Sequence, residues 1–150
     1  MQPHFVFPDS KCGRPRRIGY EKERFMKAIG KTQWLIPDMY WPEITSDGHY
    51  VSHESICVLN TSGLDCEIRI DLYFEDRPPV LGVASSCAAQ RTHHIRMDKL
   101  KNTDGSGTVP KGVPYAAVVC ASVPIVVQYT RVDTTQCENT LMTSMAYPAD

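Results

Sequence analysis

The stretch Val123-Pro124-Ile125-Val126-Val127-Gln128-Tyr129-Thr130-Arg131-Val132-Asp133 has the composition of a β-strand that changes character along its length. Its first half is a continuous apolar run, which is typical of a strand covered on both faces. From Gln128 onward the side chains become polar while strand propensity is retained. Either this strand leaves the core to deliver fixed hydrogen-bonding groups to a site, or it runs out to a solvated edge.

Short apolar segments of this kind recur along the 150 residues, separated by turn-forming residues. Cys66–Phe74 alternates apolar and polar residues with the period of a half-buried antiparallel strand. Eleven prolines and nine glycines between the segments favour strands over a helical bundle. We therefore predict an all-β protein, an antiparallel β-sandwich of about seven or eight short strands. The predicted strands are residues 31–37, 54–59, 66–74, 80–83, 91–97, 115–121 and 125–132, and residues 140–147 fit either a helix or an edge strand.

The N-terminal residues differ from the rest of the chain in charge. Residues 1–31 carry eight of the sixteen Lys and Arg residues and only three acidic residues, a net charge of +5, whereas the remaining residues carry −6. We predict a basic N-terminal extension over residues 1–30, either helical or disordered, followed by a β-sandwich domain over residues 31–150. Such an arm either contacts phosphate or an anionic membrane face, or it is a solvated tail.

Hydropathy and cysteine spacing indicate the cellular compartment. No apolar run approaches the ~20 residues that a membrane-spanning helix needs, and the first ten residues, MQPHFVFPDS, contain no signal-peptide core. We therefore expect a cytoplasmic protein. The six cysteines include no C-x-x-C pair, which in that compartment indicates reduced, packed thiols rather than disulfides or a zinc site. We predict no cofactor and no bound metal.

The sequence contains none of the common nucleotide-binding, hydrolase or metalloprotease motifs, and we predict a protein without enzymatic activity. The alternative is a metal-assisted enzyme in which His93 or His94 meets His53, Glu54 or His49, a ligand set that suits zinc or iron. Adjacent strand residues point to opposite faces, so neither the His53-Glu54 pair nor the His93-His94 pair forms such a site alone. His53 otherwise hydrogen-bonds the loop at the strand entrance.

Polar residues at predicted strand ends are the candidate ligand-binding groups. An arginine at a strand end offers paired donors to a carboxylate, a phosphate or vicinal hydroxyl groups, which favours Arg91, Arg96 and Arg131. Asp133 either belongs to such a site or is a structural partner of Arg131 or Arg96. We expect the predicted groups to gather in one solvent-accessible recess that holds a small polar ligand. The full predicted set is His53, Glu54, Asn60, Arg91, Gln128, Thr130, Arg131 and Asp133.

The order of several short motifs along the chain resembles the sensory rhodopsin transducer family. The resemblance covers residues 31–147. Its motifs are Trp34-x-Ile36-Pro37, Ser52-His53-Glu54 followed by Cys57-Val58-Leu59-Asn60, Arg91-Thr92 leading to Arg96 and Asp98-x-Leu100, Val123-Pro124-Ile125-Val126-Val127-Gln128-x-Thr130-Arg131-x-Asp133, Gln136-x-Glu138-Asn139 and Ala146-Tyr147.

The resemblance implies a β-sandwich subunit that assembles into a homotetramer and has no established catalytic activity. It also implies cytoplasmic signalling by contact with a membrane photoreceptor, and a small-molecule-binding module for sugar-like ligands. We therefore predict a non-enzymatic signalling and binding protein that binds a small polar, sugar-like ligand, a receptor partner, or both. The alternatives are a DNA-binding transcriptional regulator and an enzyme that processes a sugar derivative.

Overall fold

The computed structural model describes residues 27–45, 48–102 and 104–149. The predicted all-β fold is confirmed: the described residues form eight strands, all paired antiparallel, and one short 3₁₀ turn at Met97–Lys99. The strands are β1 (Lys31–Tyr40), β2 (His53–Asn60), β3 (Cys66–Phe74), β4 (Val80–Cys87), β5 (Arg91–Arg96), β6 (Pro114–Asp133), β7 (Thr140–Met145) and β8 (Tyr147–Pro148). The predicted extension over residues 1–30 lies mostly outside the described residues and stays a prediction.

Strand β6 is twenty residues long and belongs to two sheets. Its first half pairs with β1 and β3 in a sheet of order β4-β3-β6-β1-β8, here called sheet A. Its second half pairs with β2 and β7, and β5 completes this second sheet, here called sheet B, in the order β5-β2-β6-β7. The core lies between the two sheets.

The prediction of two separate strands at 115–121 and 125–132 was wrong, because the chain continues as a strand through Ser122-Val123-Pro124. Pairing with β3 ends at Ala121, and pairing with β2 begins at Val126. Proline cannot donate a ladder hydrogen bond. Pro124 is tolerated here because it lies between these two partners, where β6 passes from one sheet to the other.

The alternation predicted for β3 is confirmed. Ile68, Ile70 and Leu72 are buried, while Glu67 and Arg69 are exposed on the other face of sheet A. The predicted outward face contains one buried acid, Asp71, which is 7% exposed. Its Oδ1 accepts a hydrogen bond of 2.7 Å from the Gly82 N–H in β4, so the polar group is satisfied without solvent.

The C-terminal ends of β1 and β4 differ from the sequence-based prediction by three residues or more. Strand β1 continues past Pro37 to Tyr40, with a register shift between Ile36 and Met39 that accommodates the proline. Strand β4 extends to Cys87 because its partner β3 continues to that level. The segment that fitted either a helix or an edge strand forms β7 and β8. No helix among the described ranges has the length and hydropathy needed to cross a bilayer.

Candidate functional site

The most unusual polar group of the fold is a fully buried carboxylate, Glu54, near the start of β2. Its Oε1 accepts hydrogen bonds from the Tyr40 N–H at 2.6 Å and from the Tyr129 hydroxyl, and it lies 3.4 Å from Arg131 Nε. Its Oε2 accepts a hydrogen bond of 2.5 Å from the Tyr115 hydroxyl. We call Glu54, Tyr115, Tyr129 and Arg131 the Glu54 cluster.

Strand register brings the Glu54 cluster together. In the β2–β6 ladder Glu54 lies opposite Arg131, so both side chains extend from the same face of sheet B. Tyr129 lies two residues before Arg131 and therefore on that same face. Tyr115 comes from the first half of β6, which lies in sheet A. One carboxylate thus joins both halves of the strand that the two sheets share.

The Glu54 cluster holds its tyrosines in the neutral form. Burial and the nearby Glu54 carboxylate raise the pKa of Tyr115 well above its ordinary value. Burial and the hydrogen bond to Glu54 likewise raise the pKa of Tyr129. Both phenols therefore remain donors to the carboxylate at neutral pH. Four donors occupy the carboxylate, about as many as it has lone pairs, so its role here is to fix other side chains rather than to remove a proton from a substrate.

Arg131 is the member of the cluster that reaches toward solvent. Its Nε donates a hydrogen bond of 2.9 Å to the Tyr129 hydroxyl, and its guanidinium carbon lies 5.8 Å from the ring centres of Tyr40 and Tyr129. Its Nη2 is buried and has no hydrogen-bond partner among the described residues. The nearest carboxylate to Nη2 belongs to Asp38, 3.8 Å away and 84% exposed. The Nη2 donor of Arg131, which has no hydrogen-bond partner among the described residues, thus lies just beneath the exposed Asp38 carboxylate.

Two recesses meet at Asp38. One, of about 350 Å³, is lined by Pro37, Asp38, Tyr73, Phe74, Glu75, Pro114, Tyr115 and Ala116. The other, of about 200 Å³, lies between β1 and β7 and is lined by Leu35, Ile36, Pro37, Asp38, Tyr129, Met142, Ser144, Met145 and Ala146. Each recess includes one tyrosine of the Glu54 cluster. We call this region, with Arg131 beneath it, the Asp38 opening.

Of the eight predicted site residues, Glu54 and Arg131 are brought together, and the remaining six lie elsewhere. Asn60 is buried at the opposite end of β2, where its Nδ2 donates to the carbonyls of Leu64, Cys87 and Ala88. Arg91 is paired with Asn60 in the β2–β5 ladder and is exposed, with its Nη1 donating to a neighbouring carbonyl.

His53, at the entrance of β2, hydrogen-bonds through Nδ1 to the Val51 carbonyl at 2.8 Å. Of the two roles that its position suggested, the structure therefore shows the contact with the preceding loop. Asp133 closes a turn after β6, since its Oδ1 accepts hydrogen bonds from both the N–H and the hydroxyl of Thr135. It is not the structural partner of Arg131, which pairs with Glu54 and Asp38, or of Arg96, which pairs with Asp98.

Gln128 and Thr130 extend from the outer face of sheet B, opposite to the face that carries Arg131. Gln128 Nε2 donates a hydrogen bond of 2.6 Å to Thr143 Oγ1, and the Thr130 hydroxyl lies 3.3 Å from the same oxygen. The expectation of one shared recess is therefore corrected. Residues at even and odd positions of one strand cannot line the same pocket, because successive side chains point to opposite faces.

The two tyrosines of the Glu54 cluster and Asp38 were not predicted from the sequence. Tyr129 could have been found from its position, since it shares a strand face with Arg131 and precedes it by two residues. Tyr115 and Asp38 could not, because both reach the cluster through the packing of sheet A on sheet B.

The arrangement needed for a metal-assisted enzyme does not form. His93 lies opposite Val58 and His94 opposite Cys57, whereas His53 lies opposite Val132. Four residues of β2 separate the levels of His53 and His94, about 13 Å along the strand. In the part of the chain that the structure describes, no group of three or more His, Cys, Asp or Glu side chains has a geometry that holds a metal ion.

A family model and two solved structures relate the chain to known proteins. Residues 29–148 match a family model described as Anabaena sensory rhodopsin transducer. The crystal structure of Thermotoga maritima 1070 is similar with a TM-score of 0.70 and 36% identity, covering 79% of this chain and 95% of that one. The Anabaena sensory rhodopsin transducer is similar with a TM-score of 0.63 and 35% identity, covering 71% and 91%. The search of curated proteins finds no match.

Proposed function

Because the chain belongs to the Anabaena sensory rhodopsin transducer family, we propose that it is a non-enzymatic signalling protein that binds a small polar ligand at the Asp38 opening and passes the bound state to a protein partner. The observation that carries the proposal is the unsatisfied Nη2 of Arg131 beneath the exposed Asp38 carboxylate. A buried donor without a partner is costly, and a ligand oxygen would satisfy it.

The chemistry of the opening fits a sugar-like ligand. Arg131 supplies an N–H donor and Asp38 supplies an acceptor, the combination that recognises neighbouring hydroxyl groups. Tyr73 and Phe74 line the larger recess beside them and offer apolar surface for the C–H face of a ring. The volume of that recess, about 350 Å³, lies in the range of small-molecule sites.

Calorimetric titration of the protein with neutral monosaccharides and sugar acids tests this site. Asp38→Asn is the informative variant, because within the described part of the chain the exposed carboxylate makes one ion pair, at 3.8 Å, and its loss should leave the fold intact. We expect at least one sugar to bind and Asp38→Asn to weaken its affinity about tenfold. The control is Asp76→Asn, an exposed acid paired with Arg77 next to it. Absence of binding by every sugar, or equal binding by Asp38→Asn, would contradict the proposal.

We propose that the partner is the cytoplasmic face of a membrane receptor, contacted by the basic N-terminal residues. The charge of +5 on residues 1–31 supports this, because anionic membrane surfaces attract polybasic segments. Removal of residues 1–30 should weaken binding to receptor-containing vesicles, most strongly at low salt. Equal binding by the shortened protein would show that the basic N-terminal residues do not contribute to the contact with the receptor. If the full chain instead binds duplex DNA with an affinity that falls steeply with salt, the DNA-binding alternative is favoured.

We further propose that the protein works as a homotetramer, as the family resemblance implies. Repeated copies would present several Asp38 openings and several basic arms to one membrane, which raises the effective affinity for a multivalent surface. Sedimentation equilibrium measures the mass of the assembly directly. A monomer at all concentrations would contradict this part of the proposal and leave the ligand site unaffected.

A further inference from the structure

Two buried cysteines lie opposite each other at the open end of the β3–β4 hairpin. Cys66 is the first residue of β3 and Cys87 is the last residue of β4, and the two are direct partners in the antiparallel ladder. Cys66 is fully buried and Cys87 is 2% exposed. Because paired residues of a ladder extend from the same face of a sheet, both thiols lie on the core side of sheet A.

The ladder places the two cysteines within the range of a disulfide. Residues directly opposite in an antiparallel pair have Cα atoms about 4.5 to 5.5 Å apart, and disulfides join cysteines whose Cα atoms are about 4.4 to 6.8 Å apart. In the reduced protein, Cys66 Sγ donates to the Glu67 carbonyl at 3.5 Å and Cys87 Sγ donates to the Arg91 carbonyl at 3.3 Å. Thiols are weak donors, so the loss of these contacts opposes a disulfide only slightly.

No other two cysteines among the described residues share such a position. The ladder partners of Cys57 and of Cys120 are residues other than cysteine. Cys137 is exposed and lies outside the strands. The fold therefore singles out the pair of Cys66 and Cys87, although the spacing of the cysteines along the sequence does not.

The turns beside the pair hold it closed. The segment after β4 is attached to the segment before β3 by two hydrogen bonds, from the Ala89 N–H to Asp65 Oδ1 at 2.8 Å and from the Gln90 N–H to the Ser62 carbonyl at 3.0 Å. Burial raises the pKa of Cys87, which keeps it in the less reactive thiol form. Since β4 is an edge strand of sheet A, its end can open when these two bonds break, without the loss of a second ladder.

We propose that Cys66 and Cys87 are an oxidation site, at which a peroxide converts the two thiols into a disulfide across the open end of the hairpin. One thiol loses its proton and its sulfur attacks an oxygen of hydrogen peroxide, which breaks the O–O bond and gives a sulfenic acid and one water. The second thiol attacks that sulfur, so that the S–S bond forms, the S–O bond breaks and a second water leaves. The two sulfurs together lose two electrons, which the peroxide accepts.

The disulfide would change the stability of the domain. It closes the hairpin into one covalent loop, which removes conformations from the unfolded chain and thereby stabilises the folded one. In a reducing compartment such a bond is usually transient and reports the presence of an oxidant. The site therefore gives the domain a response to peroxides that is independent of the ligand and the partner proposed above.

Peptide mapping of the full chain tests the site directly. Cys57→Ala is the form to use, because trypsin then releases residues 32–69 and 70–91 with one cysteine each, Cys66 and Cys87. After treatment with hydrogen peroxide and alkylation, the two peptides should be joined, and dithiothreitol should separate them. Oxidation should also raise the Tm by about 5 °C. Addition of Cys87→Ala is the matched control and should abolish both the joined peptide and the rise in Tm.

A further pair of variants in the Cys57→Ala protein tests the opening step. Asp65→Ala removes the acceptor of the Ala89 N–H and should speed disulfide formation about fivefold, because the end of β4 opens more often. Asp104→Ala is the matched control. Asp104 is also an exposed aspartate that accepts a hydrogen bond from a backbone N–H, that of Ser106, but in a different loop. Its loss should leave the rate unchanged.

Each part of the inference has a result that would overturn it. Separate peptides after the peroxide has fully oxidised the exposed Cys137 would overturn the oxidation site. Joined peptides with an unchanged Tm would overturn the stabilising effect of the disulfide. Equal rates in Asp65→Ala and Asp104→Ala would overturn the opening step at the end of β4.

Discussion

At one end β2 buries a charged side chain, Glu54, and at the other end a neutral amide, Asn60. The donors to Glu54 come from β1 and from both halves of β6, so its hydrogen bonds join the two sheets. The bonds of Asn60 go to nearby turns, including both the N–H and the hydroxyl of Ser62. At the Asn60 end, both the amide nitrogen and the amide oxygen of the side chain have hydrogen-bond partners. At the Glu54 end, one N–H donor of Arg131 near solvent has none among the described residues. Only the charged end of the strand therefore has capacity for a ligand.

The largest expected loss of stability follows from a substitution at the charged end of β2. Glu54→Ala should lower the free energy of unfolding by about 4 kcal/mol, because it leaves Arg131 buried without its closest carboxylate and removes the acceptor of two tyrosine hydroxyls. Denaturant unfolding measures the change. The control is Asp38→Ala, which removes an exposed carboxylate from the same arginine and should cost less than about 0.5 kcal/mol. Equal losses in the two variants would show that the buried cluster is not the main support.

A substitution at the neutral end, at Asn60, should lower the free energy of unfolding somewhat less. Asn60→Ala leaves three backbone carbonyls and the Ser62 N–H without their partner, for which we expect a loss of about 3 kcal/mol. Asn102→Ala serves as the matched control, because among the described residues the Asn102 side chain hydrogen-bonds the exposed Ser106 hydroxyl and no other group. If Asn60→Ala is as stable as this control, water replaces the amide and the end is less closed than the geometry indicates.

A single bond of the Glu54 cluster can be removed without changing its charge. Tyr115→Phe deletes the 2.5 Å hydrogen bond to Glu54 Oε2 and should lower the free energy of unfolding by about 2 kcal/mol. Tyr73→Phe, at an exposed tyrosine, should leave it unchanged. A loss in Tyr115→Phe no larger than in the control would mean that the carboxylate does not depend on this donor.

The smallest expected effect is a difference in alkaline stability. The pKa of Tyr129 is raised in the folded protein, so the unfolded chain loses this phenolic proton first, near pH 10. Stability that is complete below pH 10 is then lost as the pH rises toward the folded-state pKa. At about pH 10.5 the wild type should have lost about 0.8 kcal/mol more than Tyr129→Phe, relative to neutral pH. Parallel pH profiles for the two proteins would contradict the assignment. Comparable profiles for Asn60→Ala and the wild type are the expected control, because no tyrosine in the described ranges hydrogen-bonds Asn60.

Much of the fold was predictable because it depends on local patterns. The alternation of Cys66–Phe74 follows from burial on one face, and the bounds of β3 were predicted without error. The length of β6 was not predictable, because a proline in an apolar run indicates a break unless the strand changes partners there. The outcome at Thr140–Met145 was also open, since its apolar spacing suits either structure until β6 offers an edge to pair with.

The candidate site was predicted in part for a related reason. Glu54 and Arg131 were recognised as polar groups at strand ends, and the register of β2 on β6 brings them together. Gln128 and Thr130 were assigned to the same recess although they differ from Arg131 in strand parity. The two tyrosines and Asp38 reach the cluster through contacts between elements far apart in the chain. No local pattern carries that information.

The sequence by itself determined the strand class, the family and the two polar residues around which the site is built, because periodicity and motif order are properties of the chain. Only the tertiary structure decided which of the polar groups meet, that Glu54 is sealed from solvent, and that Arg131 keeps a donor free beneath Asp38. The physical reason is that hydrogen-bond capacity is used up by partners from other strands. The hydrogen-bond donors and acceptors that remain for a ligand can be identified only when the positions of those partners are known.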